Sequence, residues 1–294
     1  MEQIYLCLDV GGTEIKAGAV SESGELLSGE IRRFPARAKE DADTVVANLA
    51  GICLAVGKDC KVSPTGVRLA FPGPFDYENG VSRMRGLDKY DAICGLDLRD
   101  ALNGRFRERW GACDIRFLND AAAFGLGEAY FGEVRTNTRA LCVPIGTGCG
   151  SVFLENGRIL DERCPGVPQN GYIYAEPFLD GCIDDHISRR GLMKLSEELL
   201  GRPLDGGALA EAAKTGDPGA LCVWRVFGNR LADALGPFLS PSGFHPDVLC
   251  VGGQIVKSAA FFAAPLQAVC ERFGVRLTAS ADTSLRVMQG LTRI

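Results

Sequence analysis

Apolar positions along this chain switch between two spacings, and each switch marks a new element. Residues 4–9 alternate weakly around Leu6 and Leu8, run into Gly11-Gly12, and resume as a strand over 15–20. The turn at Glu22-Ser23-Gly24 leads to a further strand ending near Phe34. In "DADTVVANLAGICLAVGKD" the apolar residues fall at helical spacing (Val45, Val46, Leu49, Ile52, Cys53, Val56), with Asp41 or Asp43 placed to cap the start. "TGVRLAF" predicts a buried strand stopped by Pro72-Gly73-Pro74, and "LDLRDALNGRFRERWG" a second helix. "DIRFLND" is a strand that delivers Asn119 and Asp120 into the helix "AAAFGLGEAYFG".

The pattern then restarts. A strand over 140–145, a glycine turn, a strand over 149–154 and the tight turn Glu155-Asn156-Gly157 repeat the opening of the chain. A turn-rich section over 161–181 is followed by helical segments at 182–200, 206–214 and 217–239. "DVLCVGGQIVKS" reads as a strand with a Gly-Gly turn that opens a helix, and 283–293 as a closing helix. The expected architecture is α/β, with a smaller N-terminal domain over 1–117, a larger C-terminal domain over 118–282, and the closing helix packed on the first. The stretches "LCLDVGGTEIKAGAV" and "LCVPIGTGCGSV" share one build. A duplicated domain explains this, with one glycine turn on each side of a cleft.

Composition narrows the function classes. The chain has 294 residues, 46% of them hydrophobic, long enough for two cores without covalent staples. A formal net charge of -5 argues against nucleic acid as the main partner. No uncharged apolar run is long enough to span a bilayer, so no membrane partner is expected. The twelve cysteines sit mostly inside apolar runs, as Cys7, Cys142 and Cys250 do, and show no framework spacing. They read as thiols in a reducing cytoplasm. CxxC pairs are missing and the two histidines, His186 and His245, stand far apart, which argues against structural zinc.

Glycine turns of this kind let backbone N–H groups approach an anion with no Cβ in the way. Gly11, Gly12 and Thr13 form the first candidate phosphate cradle, with Lys16 either near it or facing solvent; Gly146, Thr147, Gly148 and Gly150 form the second. Two such cradles suit a triphosphate held for phosphoryl transfer, a reaction that depends on positioning and charge stabilisation. Asp9, at the end of the first strand, is placed to hold Mg²⁺ through water. Asp120, where a buried strand meets a helix, is the candidate general base; the competing reading is a helix N-cap.

The segments "LDVGGTEIKAGAV", "AFPGPFD", "LNDAAAFGLGEA", "PIGTGCGSVFLENGRI" and "CVGGQIVKS" occur in an order and spacing that resemble the ROK family of bacterial sugar kinases and related repressors. The resemblance covers nearly the whole chain. It implies the actin-like, ribonuclease-H-like ATPase fold, with two similar α/β domains around a cleft that closes over the sugar. It implies ATP and Mg²⁺ as cofactors, a small-molecule sugar as substrate and a homodimer. Asp9 with Gly11 to Thr13 would form the first phosphate element and Gly146 to Gly150 the second. Gly252 and Gly253 would line the adenosine pocket. Gly73, Asn119 and Asp120 would contact the sugar, with Asp120 catalytic. The DNA-binding extension of the repressor members has no counterpart before the first strand.

The chain also departs from the family's pattern. A Gly-Glu-X-Gly-His segment, whose Glu and His bind sugar and whose His joins a cysteine cluster on zinc, aligns with "VPQNGYIY". That alignment puts Gln169 at the Glu position and Tyr172 at the His position. In "GCIDDHIS" the family's Cys is kept as Cys182, while Asp184 replaces Glu. Zinc is therefore expected to be absent, and Gln169, Tyr172 and Asp184 are the remaining candidates for sugar hydroxyls. His186 reads as a surface helix residue. Arg85 and Lys89, where relatives place an asparagine, read as solvated side chains, the alternative being contacts to an anionic or larger substrate. The expected activity is ATP-dependent phosphorylation of a hydroxyl of a hexose or hexose derivative, glucose-type by default. A sugar sensor without turnover and a polyphosphate-dependent kinase are the alternatives.

Overall fold

The computed structural model describes residues 2–61, 63–134 and 139–294. Two compact units divide the chain, Met1–Gly127 together with Ser284–Ile294, and Glu128–Thr283.

In the first unit β1 (Ile4–Val10) pairs antiparallel with β2 (Glu14–Ser21), which pairs antiparallel with β3 (Arg32–Pro35). Helix α1 (Ala42–Asp59) follows, its first turn capped by Asp41, whose Oδ1 accepts the Thr44 N–H at 2.9 Å. Its apolar stripe, Val45 to Val56, is buried. Strand β4 (Gly66–Ala70) lies parallel to β1 and is buried along its whole length, as a central parallel strand covered on both faces should be. A small hairpin, β5 (Phe75–Asp76) with β6 (Val81–Ser82), and helix α2 (Leu98–Trp110) lead to β7 (Asp114–Leu118), parallel to β4. The sheet order is β3-β2-β1-β4-β7. Helix α3 (Asp120–Phe131) leaves this sheet, and its residues from Ala121 to Ala129 are all buried.

The second unit repeats the plan. Strands β8 (Arg139–Pro144), β9 (Val152–Glu155) and β10 (Arg158–Ile159) pair antiparallel in turn. A hairpin of β11 (Pro177–Phe178) and β12 (Gly181–Cys182) precedes helices α4 (Ile183–His186), α5 (Arg189–Leu200), α6 (Gly206–Lys214) and α7 (Pro218–Leu239). Strand β13 (Val248–Gly252) lies parallel to β8, and after α8 (Ala259–Phe273) strand β14 (Arg276–Ala279) lies parallel to β13. The order β10-β9-β8-β13-β14 matches the first sheet position for position. The unit's core centres on Trp224, stacked on Phe262 at 5.5 Å, with Phe227 edge-on to both.

Several elements differ from the sequence expectation, among them the short β5–β6 and β11–β12 hairpins. The pattern contains no signal for β14, a partly exposed edge strand. The helix expected over 182–200 is broken at Ile187-Ser188, where Ser188 turns to cap α5 through the Gly191 N–H at 3.2 Å. The helix after Gly253 starts as one tight turn, Ile255–Ser258, before α8.

The last helix, α9 (Thr283–Leu291), packs on α3 within the first unit with the two backbones in close approach at two glycines. A Cβ on Gly290 would stand 1.8 Å from the Ala123 carbonyl oxygen, and one on Gly127 would stand 1.9 Å from that of Arg286. Neither backbone oxygen can step aside without moving its helix. Gly290→Ala is therefore expected to destabilise the protein by about 2–3 kcal/mol, at the upper end of overpacking costs, read as a lower urea midpoint in equilibrium unfolding.

Candidate functional site

The first glycine turn joins β1 to β2. Its closing bond runs from the Gly11 N–H to the Glu14 carbonyl at 3.0 Å, so that amide shapes the turn and is not available to an anion. The Gly12 and Thr13 amides have no partner among the described residues, and both residues are exposed. Tyr90 fixes the turn from beneath: its hydroxyl donates to the Gly11 carbonyl at 2.8 Å, and burial pushes its pKa up, keeping it a donor. Asp9 and Lys16 face each other across the β1–β2 ladder, with Lys16 Nζ 3.2 Å from Asp9 Oδ2. Lys16 is thus half-buried against Asp9 and not a solvated residue. Asp9 Oδ1 has no hydrogen-bond partner among the described residues. Magnesium usually keeps several waters and takes one or two carboxylates plus substrate phosphates, and a single carboxylate with one open oxygen fits that donor set.

At the start of α3 the residues divide the work. Asn119 is the cap: its Oδ1 accepts the Ala121 and Ala122 N–H groups at 3.0 and 3.2 Å. Its amide donates to the Tyr77 hydroxyl at 3.4 Å, and Tyr77 donates to the Phe71 carbonyl at 3.0 Å. The same hydroxyl lies 3.5 Å from where a Gly73 Cβ would stand, so Gly73, Tyr77 and Asn119 form one group. Tyr77 is a member that pattern reasoning missed; in sequence it is only one more aromatic after "AFPGPFD".

Asp120 is relieved of the capping role. Its Oδ1 accepts the Ala121 N–H at 2.9 Å, a bond shared with Asn119, and no side chain donates to either oxygen among the described residues. More than a third of the residue is open to solvent, while protein surrounds its other sides. Lost hydration raises its pKa above the ordinary 3.8, and the Asp9 charge raises it further; the Ala121 N–H and the Lys89 charge pull the other way.

The second glycine turn follows β8. The Gly146 N–H bonds to the Gly148 carbonyl at 2.9 Å and the Gly150 N–H to the Pro144 carbonyl at 3.0 Å. These two amides close the turn, leaving those of Thr147 and Gly148 without a partner among the described residues. Gly252 and Gly253 come to the same place. The Ile145 N–H donates to the Gly252 carbonyl at 2.8 Å, and Gly253, at φ +91°, leaves no room for a side chain because a Cβ would lie 2.1 Å from the Ile145 carbonyl oxygen.

Asp184 belongs to this turn as well. Its Oδ1 accepts the Cys149 N–H at 2.7 Å and its Oδ2 pairs with Arg190 at 2.8 Å, so both oxygens are engaged. Ser151 ties the 169–173 segment to β9: its hydroxyl donates to the Gly171 carbonyl at 2.7 Å and accepts the Ile173 N–H at 3.0 Å. That leaves Gln169 exposed and Tyr172 half-buried, with its ring 5.7 Å from that of Tyr174.

His186 corrects the sequence reading: it is 4% exposed, not a surface residue, with its ring edge-on to Phe178 at 5.6 Å. Tertiary packing buries it, which helical spacing alone does not reveal. Among the described residues no group of three or more His, Cys, Asp or Glu side chains gathers as a metal site. Nor is any helix long and apolar enough to cross a membrane.

Comparisons with known proteins agree with this layout. The model of the ROK family matches residues 5–289. The chain is 28% identical over 282 residues to a glucokinase of Thermotoga maritima, covering 88% of this chain and 84% of that protein. It is 30% identical over 270 residues to an N-acetyl-D-glucosamine kinase of Pectobacterium atrosepticum, covering 86% and 84%. The structure of a ROK family glucokinase from Streptomyces griseus in complex with glucose and AMPPNP superposes with a TM-score of 0.76 at 19% identity, over all of this chain and 98% of that one. That likeness shows the actin-like ATPase fold, as the repeated sheets anticipate. The chain belongs to the ROK family.

Proposed function

We propose that this ROK protein is a sugar kinase that transfers the γ-phosphoryl group of ATP to a hydroxyl of a hexose or hexose derivative. One observation carries the reading. Asn119 discharges the helix cap, so Asp120 keeps an accessible carboxylate of raised pKa beside Asp9 and the first glycine turn. A carboxylate used only as a cap has no need of a second capping residue before it.

In this reading Asp120 accepts the proton of the sugar hydroxyl as its oxygen attacks the γ-phosphorus, and the bond to the β-phosphate oxygen breaks to release ADP. The open amides of Gly12, Thr13, Thr147 and Gly148 are the donors to phosphate oxygens in this reading. Gly252 and Gly253 line the adenosine. Asp9 would hold Mg²⁺ through water, and the ion, when bound, neutralises phosphate charge. Asn119 and Gly73 meet the sugar, with Gln169 and Tyr172 offering further hydroxyl partners. Asp184 acts by holding the second turn in shape, since its oxygens are already engaged. The twelve free thiols suit a cytoplasmic setting.

The altered set of Gln169, Tyr172 and Asp184 favours a second reading, a sugar sensor without turnover. ADP release measured across a panel of sugars, with ATP and with polyphosphate as donor, separates the two. Sugar-dependent thermal stabilisation without turnover on any member of the panel would leave only the sensor.

Asp120→Asn is expected to keep sugar binding and lose about 10²–10⁴-fold in kcat. The same variant should be more stable than the parent at pH 7. A carboxyl with a raised native pKa binds its proton more tightly when folded, so ionisation costs stability as pH rises through and above 3.8. Asparagine removes that cost, and the gain in Tm should vanish below that pH. Asp184→Ala is expected to raise KM for ATP about tenfold, as loss of one charge-assisted hydrogen bond would, with kcat changed less.

A further inference from the structure

Lys89 lies outside every role assigned above, and the sequence pattern reads it as solvated. In the structure it is half-buried and reaches across the first glycine turn. Its Cδ lies 3.2 Å, and its Cβ 3.9 Å, from where a Cβ on Gly12 would stand, so its stem runs over the residue whose amide is free. The ammonium has no ion pair or hydrogen bond among the described residues. Two cations nearby are paired, Lys39 with Asp88 and Arg83 with Asp76, while Arg85 is exposed. Lys89 is also among the charges felt by the Asp120 carboxylate.

The backbone around it is constrained. Asp88 and Tyr90, on either side of Lys89, both adopt left-handed conformations, at φ 57° and 59°, which non-glycine residues seldom hold without support. The support is visible: the Tyr90 N–H donates to the Ala38 carbonyl at 2.6 Å, its side chain is buried, and its hydroxyl holds Gly11. Two strained residues pinned to the turn present the one between them. A side chain at Gly12 would meet the lysine stem, which would have to shift by a few tenths of an ångström.

We propose that Lys89 is the cation of the first phosphate-binding turn, placed over Gly12 to take up charge on the transferring phosphoryl group. This rests on the kinase reading for its substrate, while its ATP contact can be read without turnover. An ammonium there supplies the point charge that two neutral amides lack.

The test uses the full chain with Lys89→Met, Lys89→Gln and Lys89→Arg. The neutral variants should lose about 10²–10³-fold in kcat, with KM for the sugar within threefold of the parent, and Lys89→Arg should recover part of the loss. The acid limb of kcat/KM should move to higher pH in the neutral variants and return in Lys89→Arg, a shift that a merely structural role would not produce. ATP-dependent thermal stabilisation should fall in parallel. If one neutral variant does not fold, the other carries the measurement, and Lys89→Arg reports the geometry. A parent that turns over, with neutral variants that keep kcat within twofold and an unmoved acid limb, overturns the proposal. A parent that turns over no sugar overturns the kinase reading instead, and the ATP stabilisation of parent against Lys89→Met then decides for or against Lys89 alone.

Discussion

A turn has to close on itself before it can hold anything else, and the amides used in closing are lost to a ligand. That constraint governs both glycine turns. In each, the leading glycine bonds back across the loop, Gly11 to Glu14 and Gly146 to Gly148, and the next two residues keep their N–H groups open. Glycine is needed less for the number of donors than for the tight return that frees the following pair. The supports lie underneath, where a ligand does not compete with them: the Tyr90 hydroxyl on Gly11 in one turn, the Asp184 carboxylate on Cys149 in the other.

The repeated strand order explains why the two turns share a design. Each sheet places its first glycine turn between the central strand and its antiparallel neighbour, and each extends on the other side by two parallel strands. The fifth strand of each sheet then runs towards a helix, β7 into α3 and β14 into α9. The copies have diverged at these exits. After β7 stands the Asn119-Asp120 pair; at the start of α9 stands Thr283, whose hydroxyl accepts the Gly253 N–H at 2.8 Å. One exit carries the carboxylate proposed as a base, while the other steadies a glycine beside the second turn.

Most of the framework was legible because it rests on buried periodicity. The α1 stripe, the uninterrupted burial of β4 and the apolar run 121–127 of α3 can be read directly from the spacing of side chains. Strand β14 could not, since a four-residue edge strand with exposed ends and no buried residue carries little signal. The two-residue strands of the β5–β6 hairpin are too short to show a period. At the site, Asp9, Asn119, Asp120 and the glycines could be singled out, but which amides are closed off is a matter of turn geometry. The path of the Lys89 stem over Gly12 was hidden for a related reason: its direction depends on left-handed backbone at Asp88 and Tyr90, neither of which is a glycine that would announce it. The burial of His186 comes from a hairpin, Phe178 included, that sequence spacing does not place beside it.

The identity of residue 119 has its own consequence. Aspartate would serve the helix start as well as asparagine does, and serine nearly so. Aspartate, however, would set a second negative charge directly against Asp120, make its proton harder to remove near neutrality, and leave nothing to donate to Tyr77. Serine would lose that donation through its shorter reach. An uncharged amide is the one side chain among the common caps that ends the helix, holds the tyrosine and leaves its acidic neighbour electrically undisturbed, so drift at this position should be far narrower than helix capping alone would demand.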